Sequence, residues 1–171
     1  MKLGFKPCDQ NDIMELVSIS RSTYFNAFIA DNSAENMRLY LDSAFSKSAL
    51  DEDLKNKESE FHFAYLMDVV VGYFKINWGE AQKDIKDKDG FEIERIYVLK
   101  EYQRKKLGQK MLDKIIEIAK GKNLKYIWLG VWEKNIKAIR FYERNGFERF
   151  DEHDFMLGEE KQTDHLMKVN I

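Results

Sequence analysis

The chain has 171 residues, of which 44% are hydrophobic and 13% aromatic, a composition typical of a globular protein and not of a disordered one. Its 28 basic and 30 acidic residues leave a formal charge of −2, which disfavours a nucleic-acid-binding protein because such proteins usually carry a basic excess. No apolar run approaches the ~20 residues of a membrane span, and the single Cys8 cannot form an internal disulfide. We therefore expect one cytoplasmic domain over residues 1–171, without a membrane or nucleic-acid partner.

Helical spacing of apolar residues and alternating β-branched or aromatic residues define the predicted elements. In chain order they are a strand over 2–8, helices over 9–29 and 33–45, strands over 60–67, 69–78 and 91–99, a helix from about Gly108 that is closed by Gly121 as its C′ residue, a strand over 124–132, a helix over 135–146 closed by Gly146, and strands over 147–157 and 163–169.

The middle of the chain alternates strand, helix, strand, helix. The first three of these elements predict a βαβ unit, in which two parallel strands are joined by a right-handed crossover. Antiparallel strands before and after this unit make the sheet mixed. The fold class predicted from the pattern is therefore a mixed α/β or α+β domain.

The stretch "EYQRKKLGQKM" places Arg104, Lys105 and Lys106 just before Gly108, at the entrance to the third predicted helix. A helix N-terminus has unpaired N–H groups and a partial positive charge, so it can bind a phosphate, and glycine permits close approach. The alternative is a solvated loop. Neither a P-loop pattern nor a GxGxxG pattern is present.

A second stretch, "VWEKNIKAIRFYERNGF", places Asn135, Ala138 and Tyr142 on one face of the fourth helix. The alternative interpretation is an asparagine N-cap followed by a packed aromatic face.

Together these stretches resemble the GCN5-related N-acetyltransferase (GNAT) superfamily. Gln103, Lys106 and Gly108 occupy the marked positions of its phosphate-binding signature Q/R-x-x-G-x-G/A, although Lys106 replaces the first glycine. The second signature, N-x-x-A-x-x-x-Y followed by "NGF", is matched in full. The resemblance implies about seven strands with a central, splayed parallel pair, flanked by about four helices.

The resemblance also implies a reaction and its co-substrate: an acetyl group moves from acetyl-CoA to an amine by direct attack. The pantetheine arm would pair with Ile96 and Val98, Asn135 and Ala138 would contact it, and Tyr142 would donate a proton to the departing thiolate. The pyrophosphate would bind the amides of Arg104, Lys105, Lys106, Leu107, Gly108 and Gln109.

Within the superfamily, "FEIERIYVLKEYQRKKLGQKM" and "FMLGEEKQTDHLMK" are similar to bacterial PaiA-type polyamine acetyltransferases. A protonated amine must lose its proton before it attacks, and Glu94, with Glu92 as second candidate, is the predicted base or relay. Strand alternation predicts that both carboxylates share a face with Ile96 and Val98. A surface charge pair with Arg95 or with a neighbouring strand is the alternative.

Other possibilities stay open at this stage. The amine could be a protein lysine, a protein N-terminus or another small amine in place of a polyamine, or the chain could bind acetyl-CoA without turnover as a regulator. His153 and His165 lack the Cys/His company that indicates a metal site, so none is predicted. A homodimer formed through C-terminal edge strands is an expectation from analogy.

Overall fold

The computed structural model describes residues 2–171 as seven strands and five helices. The elements are, in chain order, β1 (Leu3–Pro7), α1 (Ile13–Phe28), α2 (Ala34–Ala44), α3 (Lys47–Lys55), β2 (Ser59–Leu66), β3 (Val69–Asn77), β4 (Gly90–Val98), α4 (Leu107–Gly121), β5 (Tyr126–Trp132), α5 (Ile136–Arg144), β6 (Glu148–Leu157) and β7 (Glu160–Asn170).

The strands form one mixed sheet with the order β1-β2-β3-β4-β5-β7-β6. All neighbouring pairs are antiparallel except β4 and β5, which are parallel. Helix α4 connects these two strands, as the βαβ pattern requires. The predicted mixed fold with its central parallel pair is confirmed.

Two apolar clusters cover the two faces of the sheet. The first packs α4 and α5 against the sheet through residues such as Leu112, Ile115 and Phe147. The second packs α1, α2 and α3 against the opposite face through Leu16 and Phe45, both fully buried. Both faces of the sheet are therefore covered by helices.

The prediction of about four helices missed α3. This short helix begins after Ser46, whose hydroxyl accepts a hydrogen bond from the Ala49 N–H, and it is fastened to the core by Leu50. Nine residues with one fully buried apolar side chain give little periodicity, so the N-cap serine was the usable signal.

The glycines predicted to terminate α4 and α5 differ in the structure, because only one of them lies after its helix. Gly146 follows α5 with a φ of +85°, as expected for a glycine that terminates a helix. Gly121, predicted to play the same part after α4, lies inside that helix. Asn123 adopts the left-handed conformation there instead, with a φ of +58°.

Candidate active site

A cleft opens in the middle of the sheet where β4 and β5 separate. Only the first three residues of each strand pair: Gly90–Glu92 of β4 lie beside Tyr126–Trp128 of β5. Beyond Glu92 and Trp128 no further pairs between these strands form within the described chain. The cleft has an empty volume of about 790 Å³, which includes its open mouth. Its lining includes five predicted site residues, namely Glu94, Ile96, Asn135, Ala138 and Tyr142.

A β-bulge in β4 places the carboxylates differently from the prediction. Lys75 of β3 pairs with Arg95, but the next residue of β3 pairs with Ile93, so Glu94 is the extra residue. Ile93 before the bulge and Ile96 after it pack into the same apolar cluster, which means that the alternation changes phase at Glu94.

The prediction that Glu92 and Glu94 share a face with Ile96 and Val98 is therefore wrong. Both carboxylates lie on the other side of the sheet, where the Asn77 amide donates hydrogen bonds to Glu92 at 2.9 Å and to Glu94 at 2.8 Å. Glu94 faces the cleft, whereas Glu92 is only 4% exposed and lies behind it.

Neighbouring charges give the two carboxyl groups opposite pKa shifts. Burial and the charge of Glu94 raise the pKa of Glu92 to about 7, in spite of hydrogen bonds from Asn77 and the Lys83 N–H. Burial alone would raise the pKa of Glu94 as well, but the cations of Lys75, Arg95 and Lys83 outweigh it and hold that pKa at about 2. The Lys75 ammonium lies 2.7 Å from the Glu94 carboxylate.

The edge of β4 offers free backbone groups to the cleft. The Leu99 N–H bonds to the Val71 carbonyl, and strand residues present their backbone to alternate edges, so Ile96 and Val98 face away from β3. Gln103 donates its side-chain N–H to the Val98 carbonyl at 3.2 Å. The remaining groups of Ile96 and Val98 are available to an extended ligand.

The turn before α4 presents unpaired amides. Lys106 is the N-cap residue but supplies no side-chain cap, so the first N–H groups of the helix have no partner within it. A Cβ at Gly108 would meet no atom within 4 Å, which leaves room for a ligand. Arg104, Lys105 and Lys106 are exposed beside these amides, and this arrangement fits a pyrophosphate. Leu107 is buried in the core and anchors the turn, and Gln109 tethers it to α5 through Asn145.

The substitution at Lys106 changes the residue but not the backbone shape of the turn. Lys106 has a φ of +58° and Arg104 a φ of +64°, both in the left-handed region that favours glycine. The lysine therefore adopts the conformation that a glycine would provide, at some cost in strain.

Helix α5 brings its three predicted residues to the cleft wall. Asn135 caps the helix by accepting a hydrogen bond from the Ala138 N–H at 3.3 Å, so the N-cap alternative holds together with a position in the cleft. Tyr142 is 7% exposed, and burial raises its pKa above the ordinary value. Its hydroxyl therefore keeps its proton at neutral pH.

Sequence reasoning missed several residues of the cleft. Asp164 of β7 lies on the wall, and His153 connects it to Asp84. Aromatic rings from four elements also line the cleft: Tyr24 and Phe28 of α1, Tyr40 of α2, Trp132 of β5 and Phe155 of β6. No local pattern marks these residues, because only the packed sheet and helices bring them together.

Within residues 2–171, no group of three or more His, Cys, Asp or Glu side chains could hold a metal ion. None of the helices in this part of the chain is both long and apolar enough to span a membrane.

Comparison with known proteins agrees with this geometry. The model of the acetyltransferase (GNAT) family matches residues 18–147. An uncharacterized N-acetyltransferase of Lactobacillus delbrueckii subsp. lactis is 37% identical over 159 residues, covering 93% of this chain and 92% of the relative. The spermine/spermidine N(1)-acetyltransferase of Bacillus subtilis is 42% identical over 64 residues, which cover 37% of this chain and 42% of the relative.

A solved structure supports the fold. PaiA N-acetyltransferase from Thermoplasma acidophilum, crystallised in complex with coenzyme A, has a TM-score of 0.80 with 20% sequence identity, and the match covers 100% of both chains. The splayed strands, the open amide turn and the family match lead to one conclusion: the chain belongs to the GNAT family and is an acetyl-CoA-dependent N-acetyltransferase.

Proposed function

We propose that the chain acetylates a primary amine of a polyamine such as spermidine or spermine. The observation that carries this proposal is the lining of the cleft, which contains two carboxylates, Glu94 and Asp164, and one guanidinium, Arg95. The excess negative charge attracts a polycation. The similarity to a Bacillus enzyme named for spermine and spermidine supports the same substrate class.

Aromatic side chains favour the same kind of substrate. Aromatic faces attract ammonium groups, and their apolar surface suits the methylene segments of a polyamine. Arg95 offsets only one of the two carboxylates, and its guanidinium is held in place 4.4 Å from the centre of the Phe45 ring by a hydrogen bond to the Tyr40 hydroxyl.

The proposed reaction uses acetyl-CoA as the acetyl donor. The amides of residues 104–109 hold the pyrophosphate, and the free edge at Ile96 and Val98 pairs with the pantetheine arm. The neutral amine attacks the thioester carbonyl, the carbon–sulfur bond breaks, and Tyr142 protonates the departing thiolate.

Glu94 is the proposed partner of the substrate ammonium. Its pKa of about 2 keeps it ionised at neutral pH, so it attracts the cation, but this low value makes it a weak proton acceptor. The role as relay therefore suits Glu94 better than the role as final base. Glu92, with a pKa of about 7, is better matched as an acceptor but lies behind the cleft.

The substrate proposal is tested by measuring free-thiol release from acetyl-CoA with spermidine, spermine, a lysine peptide or no amine. We expect release with the two polyamines to exceed release with the peptide. Equal or faster release with the peptide would favour protein lysine as the substrate. Tight acetyl-CoA binding without release with any amine would favour a regulator.

The role of Glu94 is tested by the variant Glu94→Gln. We expect kcat/KM for the polyamine to fall by about 10²-fold, the lower end of the range for a group that handles a proton, with little change in KM for acetyl-CoA. Glu101→Gln is the matched control, because it removes the same charge from an exposed position after β4. Full turnover by Glu94→Gln would exclude Glu94 as base or essential relay.

A further inference from the structure

Three side chains from different parts of the fold form a chain of contacts beside the cleft. His153 of β6 lies with its Nε2 atom 3.3 Å from the Asp164 carboxylate of β7 and with its Nδ1 atom 2.7 Å from the Asp84 carboxylate. Asp164 and His153 are directly opposite each other in the β6–β7 ladder. Asp84 belongs to the segment between β3 and β4.

This chain of contacts has a direction, from the cleft to the solvent. Asp164 lines the cleft and its side chain is 15% exposed, whereas the values for His153 and Asp84 are 25% and 37%. Gly130 of β5 lies beneath the first contact, where an added Cβ would come within 3.4 Å of Asp164 and 3.6 Å of His153. The absence of a side chain at Gly130 leaves the Asp164 carboxylate accessible from the cleft.

We propose that Asp164, His153 and Asp84 form a proton outlet, through which the proton of the substrate ammonium leaves the cleft before acetyl transfer. This inference rests on the proposed function, since it requires a substrate amine that is protonated in solution. Glu94 and Glu92 do not provide such a path. Glu94 is bound by cations on several sides, and Glu92 does not line the cleft.

The proton leaves the substrate ammonium in successive transfers between neighbouring groups. The R–NH3+ group gives one proton to the Asp164 carboxylate, which leaves R–NH2 with the lone pair that attacks the thioester. Neutral His153 accepts that proton at Nε2 while the proton on Nδ1 passes to Asp84, which releases it to water. Exchange with solvent then restores the starting tautomer of His153.

The charges around His153 are consistent with this sequence. Burial alone would lower the pKa of His153, but hydrogen bonds to Asp84 and Asp164 outweigh it and raise the pKa. Burial raises the pKa of Asp164 in spite of His153. The other titratable groups near Asp164 are His165 on the same strand and Tyr97 of β4. Both changes bring the proton affinities of these two acceptors closer to that of an alkylammonium, whose pKa is about 10.4.

The test compares wild type with His153→Gln, using two substrates that differ in their need for proton removal. With spermidine, whose amines are protonated at neutral pH, we expect kcat/KM to fall by about 10²-fold. With 2,2,2-trifluoroethylamine, whose three fluorines lower the amine pKa enough to leave it mostly neutral at that pH, we expect less than a threefold change. We also expect the loss with spermidine to shrink as the pH approaches 10, because free amine then forms in solution.

Further variants keep the test independent of folding. Asp84→Asn retains the His153–Asp164 contact and should show a smaller loss with the same substrate dependence. Imidazole in the buffer should restore spermidine turnover to His153→Gly. His165→Gln is the matched control. It removes an imidazole from the residue that follows Asp164 in β7, whose side chain points to the opposite face of the strand.

The remaining outcomes contradict the proton outlet, the substrate proposal or both. Equal losses with both amines, or a pH profile unchanged by His153→Gln, would overturn the outlet and leave the substrate proposal intact. If wild type turns over another alkylamine but not a polyamine, the substrate proposal fails and the same comparison is made with that alkylamine. Absence of turnover with every amine would overturn both.

Discussion

Glu92 and Glu94 show how strongly position determines the behaviour of one residue type. Two residues apart in β4, they share the amide of Asn77, yet the pKa of one is about 7 and that of the other about 2. The difference follows from the Lys75 ammonium, which is 2% exposed and contacts Glu94 alone of the two. The bulge places Glu94 within reach of this cation.

Because the pKa of Glu92 is raised to about 7, we expect the ionised form of this side chain to destabilise the fold at neutral pH and above. The folded state holds the Glu92 proton up to about pH 7, whereas the unfolded chain releases it near its ordinary value of about 4.3. The stability that this proton provides is therefore complete below about pH 4 and is lost as the pH rises to about 7.

We expect Glu92→Gln to be more stable than wild type at pH 8, by up to about 3 kcal/mol, and similar to it at pH 4. A glutamine oxygen can keep both hydrogen bonds, because Asn77 and the Lys83 N–H both donate to the same oxygen of Glu92. Urea unfolding from pH 4 to 8 measures the difference, with exposed Glu148→Gln as control. An identical pH dependence in wild type and Glu92→Gln would contradict the assigned shift.

Lys106 gives a second prediction at the residue scale. Its φ of +58° strains any residue with a Cβ by about 1 kcal/mol or more, although glycine also increases the entropy of the unfolded chain. We expect Lys106→Gly to be at least as stable as wild type and about 1 kcal/mol more stable than Lys106→Ala, which loses the same charge but keeps the strain. Thermal unfolding of the three proteins decides this, and equal stability of the two variants would argue against strain.

At the scale of elements, the sequence predicts what depends on local periodicity. The amphipathic pattern of α4, the N-cap Asn135 of α5 and the unpaired amides before Gly108 all follow from neighbouring residues, and all three are found. The bulge at Glu94 is different, because an extra residue in β4 is visible only in its register with β3. Faces assigned by alternation were therefore wrong for both carboxylates.

The N-terminus of α4 predicts a specific dependence on charge. Replacing Arg104, Lys105 and Lys106 with glutamine removes three exposed cations but retains the backbone amides. We expect acetyl-CoA affinity to fall by roughly tenfold at low salt and by less at high salt, because exposed charges are screened. Calorimetric titration measures the affinity.

Neutralising Lys47, Lys55 and Lys57 provides the matched control for this prediction, since these exposed lysines around α3 carry the same total charge. An equal loss of affinity in both triple variants would show a general charge effect. Unchanged affinity in the α4 variant would mean that the amides alone bind the pyrophosphate.

At the scale of the whole molecule, the cleft combines residues that the sequence separates widely. Asp84 and Asp164 contact the same imidazole although they are 80 positions apart in the sequence, and Tyr24 of α1 faces the same space as Trp132 of β5. Such a site depends on the order of all seven strands, and local patterns indicate only the pairing of strands that are neighbours along the chain. The residues proposed to bind acetyl-CoA therefore belong to motifs that are visible in the sequence, whereas most residues proposed to face the amine do not.

Binding of coenzyme A should raise the free energy of unfolding of the chain. Coenzyme A would bridge β4, α4 and α5, which share the first apolar cluster, while α1, α2 and α3 belong to the second. A ligand that binds only the folded chain adds about 2.7 kcal/mol to the free energy of unfolding at 100 times its Kd. For a chain of this size we expect Tm to rise by about 5–10 °C.

Hydrogen exchange would show where this stabilisation originates. We expect coenzyme A to slow amide exchange at residues 104–109 and at the free edge of Ile96 and Val98, because those N–H groups have no partner in the β4 ladder or in α4. Peptides from α1 and α2 should slow only to the extent that global unfolding becomes rarer. Protection confined to α1 and α2, with the turn before α4 unchanged, would place the nucleotide on the amine side and contradict the assigned site.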